Sequence, residues 1–451
     1  MPALTTWWAE YAWLPAGLAS GVLVEVDGER IAAVRPDSPA PAGAVRLAGL
    51  TLPGLANAHS HAFHRALRAR AQAGRGTFWT WRDLMYTVAG TLDPDRYLAL
   101  ARAVYAEMAL AGITCVGEFH YVHHAPGGTP YRDPTVMAAA LVAAAGQAGI
   151  RITLLDTCYL AGGVGQPLAG PQARFGDGDA ERWAARASTV EDAVRAEGHA
   201  RVGAALHSVR AVPPEQMPVV VAWAAQRGAP LHLHLSEQPA ENEACLAAYG
   251  ATPTRVLADA GALAQRTTAV HATHLTAADI DALGSSRTRI CMCPTTERDL
   301  ADGIGPARAL AGAGSPLALG SDSHAVIDLF EEARAVELDE RLRTGARGHW
   351  PAADLLRAAT VDGHAALGWP AAGRIEPGCL ADLVTVALDT PRTAGFEPAT
   401  AAESAVFAAT AADVRHVLVG GRFVVRDGRH QLIEDVAGAL RHGIAGVTRR
   451  G

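Results

Sequence analysis

Eight short apolar runs, spaced by roughly a helix plus a strand, limit what this chain can fold into more than any other feature. They are "LTLPGLANAHSH", "ITCVGEFHYVHH", "RITLLDTCYL", "RVGAALHSVR", "PLHLHLSEQ", "TTAVHATHL", "RICMCPTTE" and "PLALGSDSH". Ala- and Leu-rich segments such as "RYLALARAVYAEMALAG" and "DPTVMAAALVAAAGQAG" lie between them. Strands alternating with crossover helices pair in parallel, and eight such units close into a (β/α)8 TIM-like barrel. The competing architecture is a doubly wound open sheet, but no GxGxxG follows an early strand. The barrel is expected over residues 52–368, with the helical stretch 330–368 closing it.

The flanks have another rhythm. Residues 20–50 contain "GVLVEVDGERIAAVRPDS", two alternating strands about an Asp-Gly turn, and residues 382–429 contain "DLVTVALD" and "VRHVLVGGRFVVRDGRH" with a Gly-Gly hairpin. Neither flank has enough strands to bury an apolar face alone. The two are therefore expected to join as a small β-sandwich domain, residues 1–51 and 369–451, the latter ending in a helix.

Composition narrows the function classes. A 451-residue chain that is 49% hydrophobic and 19% charged can bury a large core. A net charge of −7 offers no basic surface for nucleic acid. A membrane span needs about 18 consecutive apolar residues, and the sequence has no such run. The N-terminal "MPALTTWWAEYAWLPAG" lacks the basic start of a signal peptide, so a cytoplasmic location is expected, and the six scattered cysteines read as reduced, buried thiols. All 39 basic residues are arginine, which removes Schiff-base lysines, P-loops and any metal centre bridged by a carboxylated lysine. A small β domain beside a large barrel is compatible with a homodimer.

Most of the eight runs turn polar at their ends, the end at which such barrels build their sites. "HSH" sets His59 and His61 two residues apart, so that on a strand they project to one side. "HLHLSE" adds His232, His234 and Glu237, "VHATH" adds His271 and His274, and "GSDSH" adds Asp322. Nitrogen and oxygen donors gathered at one barrel mouth suit a borderline divalent metal, zinc foremost, with iron an alternative.

These motifs, together with "GRIEPGCLADLVTV" and "VRHVLVGGRFVVRDG", resemble the amidohydrolase superfamily over nearly the whole chain, in its mononuclear deaminase branch. The resemblance implies one divalent metal held by His59, His61, His234 and Asp322, with Glu237 and His271 over the bound water. Asp322 would accept that water's proton, Glu237 would carry a proton to the departing nitrogen, and His271 would polarise the hydroxide or stabilise the tetrahedral intermediate.

Three further stretches, "FWTWRDLMY", "EFHYVHH" and "LHSVRAV", resemble the N-formimidoyl-L-glutamate deiminases of histidine degradation. That likeness implies a dicarboxylate substrate surrounded by Arg82 of a tryptophan-rich loop, Tyr121, His207 and Arg210. Two arginines can each grip a carboxylate through paired charge-assisted hydrogen bonds. His64 stands where those deiminases often carry a substrate-contacting glutamine. It is read as a hydrogen-bond donor to a substrate carboxylate whose charge changes near pH ~6.5. Trp79 and Trp81 are read as loop packing, and His120, His123, His124, His232, His274 and His324 as packing or support near the mouth. The rival functions are deamination of a heterocycle of guanine, cytosine or triazine type, and a non-catalytic binding barrel.

Overall fold

A computed structural model describes residues 4–73 and 76–448. The chain starts in one sheet with β1 (Thr5–Leu14), β2 (Gly17–Asp27), β3 (Arg30–Arg35) and β4 (Val45–Pro53). It then runs through β5 (Leu55–Ser60), β6 (Ile113–His120), β7 (Arg151–Cys158), β8 (Ala200–Leu206), β9 (Leu231–Leu235), β10 (Thr267–His271), β11 (Arg289–Met292) and β12 (Leu317–Leu319). These eight follow one another in a parallel sheet, one strand for each apolar run. Asp322 joins its ends just past β12: its N–H donates to the His59 carbonyl at 3.0 Å, and His61 N–H donates to the Asp322 carbonyl at 3.3 Å. The last strand thereby meets the first, and the residues that close the barrel are those at its polar mouth.

The chain finally returns to the first sheet with β13 (Leu383–Val386), β14 (Val414–Val419), β15 (Arg422–Arg426) and β16 (Arg429–His430). The hydrogen-bonded order there is β16-β15-β14-β13-β4-β1-β2-β3, so N- and C-terminal strands do build one unit. Trp7 on β1 and Phe423 on β15 lie four strands apart in that order. In a flat sheet that separation is about 19 Å. Their rings nevertheless meet edge to face at 5.0 Å. The sheet therefore folds over itself, and Trp7, Val24, Ile31, Leu47, Leu383 and Leu418 share the enclosed core. Strand β1 lies outside the elements expected from the sequence, although "TTWWAEYAWL" is rich in the aromatic residues that favour strands.

The run "LTLPGLANAHSH" serves both units. Leu52 and Pro53 pair with Val384 and Leu383 of the outer sheet, while Leu55–Ser60 is a barrel strand. The chain crosses between them at Gly54, where a Cβ would lie 2.3 Å from Thr114 Oγ1. A buried ion pair ties the units together: Arg151 Nε on β7 donates to Asp382 Oδ2 at 2.7 Å and its terminal nitrogen to Oδ1 at 3.1 Å. All six cysteines are free and buried. No helix among the described residues is long and apolar enough to cross a membrane.

Candidate active site

His61 lies one residue past the end of β5 but keeps an extended backbone (φ −125°, ψ 91°), so its ring stays beside that of His59, with centroids 4.8 Å apart. β9 brings His234 to the same point: His59 Nε2 and His234 Nε2 are 3.1 Å apart. Asp322 Oδ1 lies 3.4 Å from His59 Nε2 and 3.5 Å from His61 Nε2. Donors bound at about 2.0–2.1 Å to one tetrahedral ion are roughly 3.3 Å apart, so these four side chains have the spacing of a metal-ligand set.

The hydrogen-bond partners fit the same use. His61 Nδ1 donates to the Phe119 carbonyl at 3.0 Å and His234 Nδ1 to the His207 carbonyl at 2.9 Å. Each Nε2 is left as a bare lone pair. Burial pushes all three histidines below their ordinary pKa, towards the neutral form that ligates. Burial alone would raise the Asp322 carboxyl, but His59 beside it, with His271 and His61, outweighs burial and holds it well below the usual carboxylate range. Asp322 has φ 42°, a left-handed backbone that a non-glycine residue keeps only when its surroundings hold it. The paired backbone bonds to His59 and His61 are that hold.

Glu237 and His271 stand beside this cluster. His271 Nε2 is 3.7 Å from Asp322 Oδ2 and 3.9 Å from Glu237 Oε1. Desolvation opposes a charge on His271, but Glu237, the hydrogen bond to Glu297 and Asp322 together raise its pKa well above the ordinary value. Glu237 is raised by burial against the pull of His271 and Arg210, so it keeps its proton to higher pH than a free glutamate. Glu237, raised above the ordinary carboxyl range, His271 and Asp322, held below it, thus face one space.

That space is a cavity of about 210 Å3, lined by His61, His234, Glu237, His271 and Asp322 and walled by Phe78, Trp81, Tyr86, Tyr159 and Phe175. Every residue expected to contact substrate, Arg82, Tyr121, His207, Arg210 and His64, is on it.

A family model described as "Amidohydrolase family" matches residues 50–424. The chain belongs to the amidohydrolase family. Over 434 residues this amidohydrolase is 39% identical to formimidoylglutamate deiminase of Pseudomonas aeruginosa, with 94% of this chain and 95% of that protein covered. Its fold superposes on an amidohydrolase from Brucella melitensis with a TM-score of 0.92 at 32% identity, covering 99% and 100% of the two chains. A zinc-bound adenosine deaminase from Xanthomonas campestris gives a TM-score of 0.84 at 25% identity, with 98% of each chain covered.

Two local expectations are corrected in the amidohydrolase. The tryptophan-rich stretch is a helix, Phe78–Thr91, started by a reciprocal cap in which Thr77 N–H donates to Thr80 Oγ1 at 2.9 Å and Thr80 N–H to Thr77 Oγ1 at 3.4 Å. On that helix the Arg82 guanidinium packs 4.4 Å from the Trp79 ring centroid. His64 does not carry a charge that changes near neutral pH: burial lowers its pKa to about 3, so it is a neutral imidazole there. It shares a 3.0 Å hydrogen bond with the Tyr121 hydroxyl.

The other histidines support the walls. His232 Nε2 donates to the Ala366 carbonyl at 2.9 Å, His123 Nε2 to the Thr157 carbonyl at 2.9 Å and His274 Nε2 to the Asp302 carbonyl at 2.7 Å. His324 bridges Ser321 and Ser60, His124 pairs with Asp177 at 3.1 Å, and the His120 ring packs on Tyr97. Sequence reasoning missed Glu241, whose Oε2 is 2.9 Å from Arg210 Nε, and Glu118, which accepts from Ala62 N–H and Ser60 Oγ at 2.7 Å each. Glu241 follows Glu237 by four residues in "SEQPAE", a spacing that could have flagged it.

Proposed function

We propose that this amidohydrolase converts N-formimidoyl-L-glutamate and water to N-formyl-L-glutamate and ammonia, a step of histidine degradation, in the cytoplasm. The observation that carries the reading is the presence of two guanidiniums, Arg82 and Arg210, on the cavity that also holds the His and Asp cluster. No carboxylate among the described residues lies within 4.0 Å of Arg82, whereas Arg210 is shared between Glu241 at 2.9 Å and Glu237 at 3.6 Å. Two cations suit a substrate with two carboxylates. The likeness to the Pseudomonas aeruginosa deiminase supports the same class.

His59, His61, His234 and Asp322 would hold one divalent metal, and their nitrogen and oxygen donors suit zinc. Such an ion, when bound, acidifies water so that a nucleophile is available near pH ~7. Asp322 Oδ2, facing His271, takes the proton of the attacking water. As the water oxygen adds, Glu237 delivers its proton to the imino nitrogen. On collapse of the intermediate Glu237 takes the hydroxyl proton and passes it to the same nitrogen, so that the C–N bond breaks and ammonia leaves as the C=O forms, and the proton held by Asp322 returns to Glu237. His271 faces the oxygen that gains negative charge in the tetrahedral intermediate. Tyr121, His207 and His64 shape the pocket around the glutamate portion.

A second reading, deamination of a planar heterocycle, is favoured by the aromatic walls Phe78, Trp81, Tyr86, Tyr159 and Phe175. Arginine variants separate the two. A hydrogen bond to a charged group is worth ~1.5–3 kcal/mol, so Arg82→Met and Arg210→Met should each raise KM for N-formimidoyl-L-glutamate roughly 10- to 100-fold, with a smaller change in kcat. An unchanged KM in both variants overturns the dicarboxylate reading.

A further inference from the structure

His271 ends β10 with an unusual backbone. Its φ is 67° and that of the next residue, Ala272, is 51°. These are two consecutive non-glycine residues in the left-handed region. The ring can also turn about its Cβ–Cγ bond. Its Nε2 lies 3.7 and 3.9 Å from Asp322 and Glu237, too far for either to fix it by a hydrogen bond. The contact that orients the ring is on its other side, where Nδ1 lies 3.2 Å from Glu297 Oε1. A carboxylate oxygen accepts, so Nδ1 donates and Nε2 is turned to the cavity.

Glu297 is itself firmly held. It sits in the short helix Pro294–Asp299 just after β11, is 4% exposed, and its Oε1 also accepts the Cys293 N–H at 2.9 Å. Thr295 N–H, two residues before it, donates to the buried Glu332 at 3.0 Å, and Thr296 Oγ1 contacts Ser323 Oγ at 3.0 Å. Glu297 does not line the cavity, so substrate does not reach it.

We infer that Glu297 is a positioning residue: by accepting the His271 Nδ1 hydrogen, it fixes which face and which nitrogen of His271 meet the reacting group. The inference rests on the role given to His271 above. One oxygen, Oε1, takes both the His271 and the Cys293 hydrogens, so a glutamine whose carbonyl occupies that place can reproduce both contacts. Leucine reproduces neither.

The test is steady-state ammonia release from N-formimidoyl-L-glutamate by Glu297→Gln, Glu297→Leu, His271→Asn and the double variant Glu297→Leu/His271→Asn, each with its metal content measured. Glu297→Leu should lower kcat about 100-fold, the scale of a misplaced polar catalytic group, with KM within about twofold and metal content unchanged. Glu297→Gln should stay within about fivefold of the parent, and the double variant should be no slower than His271→Asn, because both changes remove one function. Should Glu297→Leu yield no folded protein, Glu297→Asp reads the same contact by withdrawing the carboxylate one methylene, and should cost kcat at least about tenfold. Full kcat in Glu297→Leu or in Glu297→Asp, or losses that multiply in the double variant, overturns the inference while His271→Asn remains impaired. Full kcat in His271→Asn overturns the role of His271 itself, and the inference with it.

Discussion

Replacing Glu237 by glutamine should lower kcat for ammonia release by about 10³- to 10⁴-fold, the upper range for losing a positioned proton carrier. Glutamine matches the side chain in size and can still meet Arg210 and His271, which lie 3.6 and 3.9 Å from the carboxylate, so fold and metal content should survive. What it lacks is a proton that can leave and return. Burial raises Glu237 above the ordinary glutamate range, so its acid form persists to higher pH than in water and declines as pH rises through the shifted pKa. In the parent enzyme this would draw activity down on the alkaline side, and Glu237→Gln should flatten that limb along with the rate. Stopped-flow or coupled ammonia assays across pH check both; full activity in Glu237→Gln would contradict the assignment.

Asp322→Ala should have an effect at least as large and of a different kind. Its two oxygens divide their work: Oδ1 faces His59 and His61 at 3.4 and 3.5 Å, and Oδ2 faces His271 at 3.7 Å. In the proposed mechanism, removing the side chain deletes both a metal donor and the proton acceptor. Ammonia release should fall below detection and metal retained after dialysis should drop by at least about tenfold, the scale seen when even an outer support of a metal site is lost. The variant should still fold, because the bonds that close β12 onto β5 run through the backbone of Asp322. Elemental analysis beside circular dichroism separates metal loss from unfolding; an Asp322→Ala enzyme that keeps its metal would show that the three histidines suffice.

The barrel is legible in the sequence because its signal is repetitive: eight runs, each apolar at the start and mostly polar at the end, reflect strands buried on both faces whose tips open to a site. The candidate metal site is legible in part: "HSH" sets two rings on one side of a strand end, whereas the choice of His234 over His232 and of Asp322 follows from the likeness to the amidohydrolases. The outer sheet is legible in part. Its hairpins announce themselves at Asp27-Gly28 and Gly420-Gly421, but β1 turns into β2 through Pro15-Ala16, without such a dipeptide, and its parallel pairing with β4 is a long-range fact. The helix Phe78–Thr91 is hidden because Trp, Thr and Phe are weak helix formers, and its start signal is a Thr-x-x-Thr cap rather than one ending in Glu. The pKa of His64 is out of reach for a simple reason: it is set by burial, with the residue 2% exposed, and burial depends on Trp81, Tyr121 and other groups distant in sequence. Glu297 escapes for the same cause, for its partner His271 lies 26 residues away.

The most direct test of the account is kcat/KM for ammonia release across one panel: N-formimidoyl-L-glutamate, its mono-amidated analogue N-formimidoyl-L-glutamine, and aminated heterocycles including guanine, cytosine and adenosine. The two-arginine cavity should favour N-formimidoyl-L-glutamate over its γ-amide by roughly 10- to 100-fold, the worth of one carboxylate pairing, and leave the heterocycles essentially untouched. Faster turnover of any of those heterocycles than of N-formimidoyl-L-glutamate would contradict it.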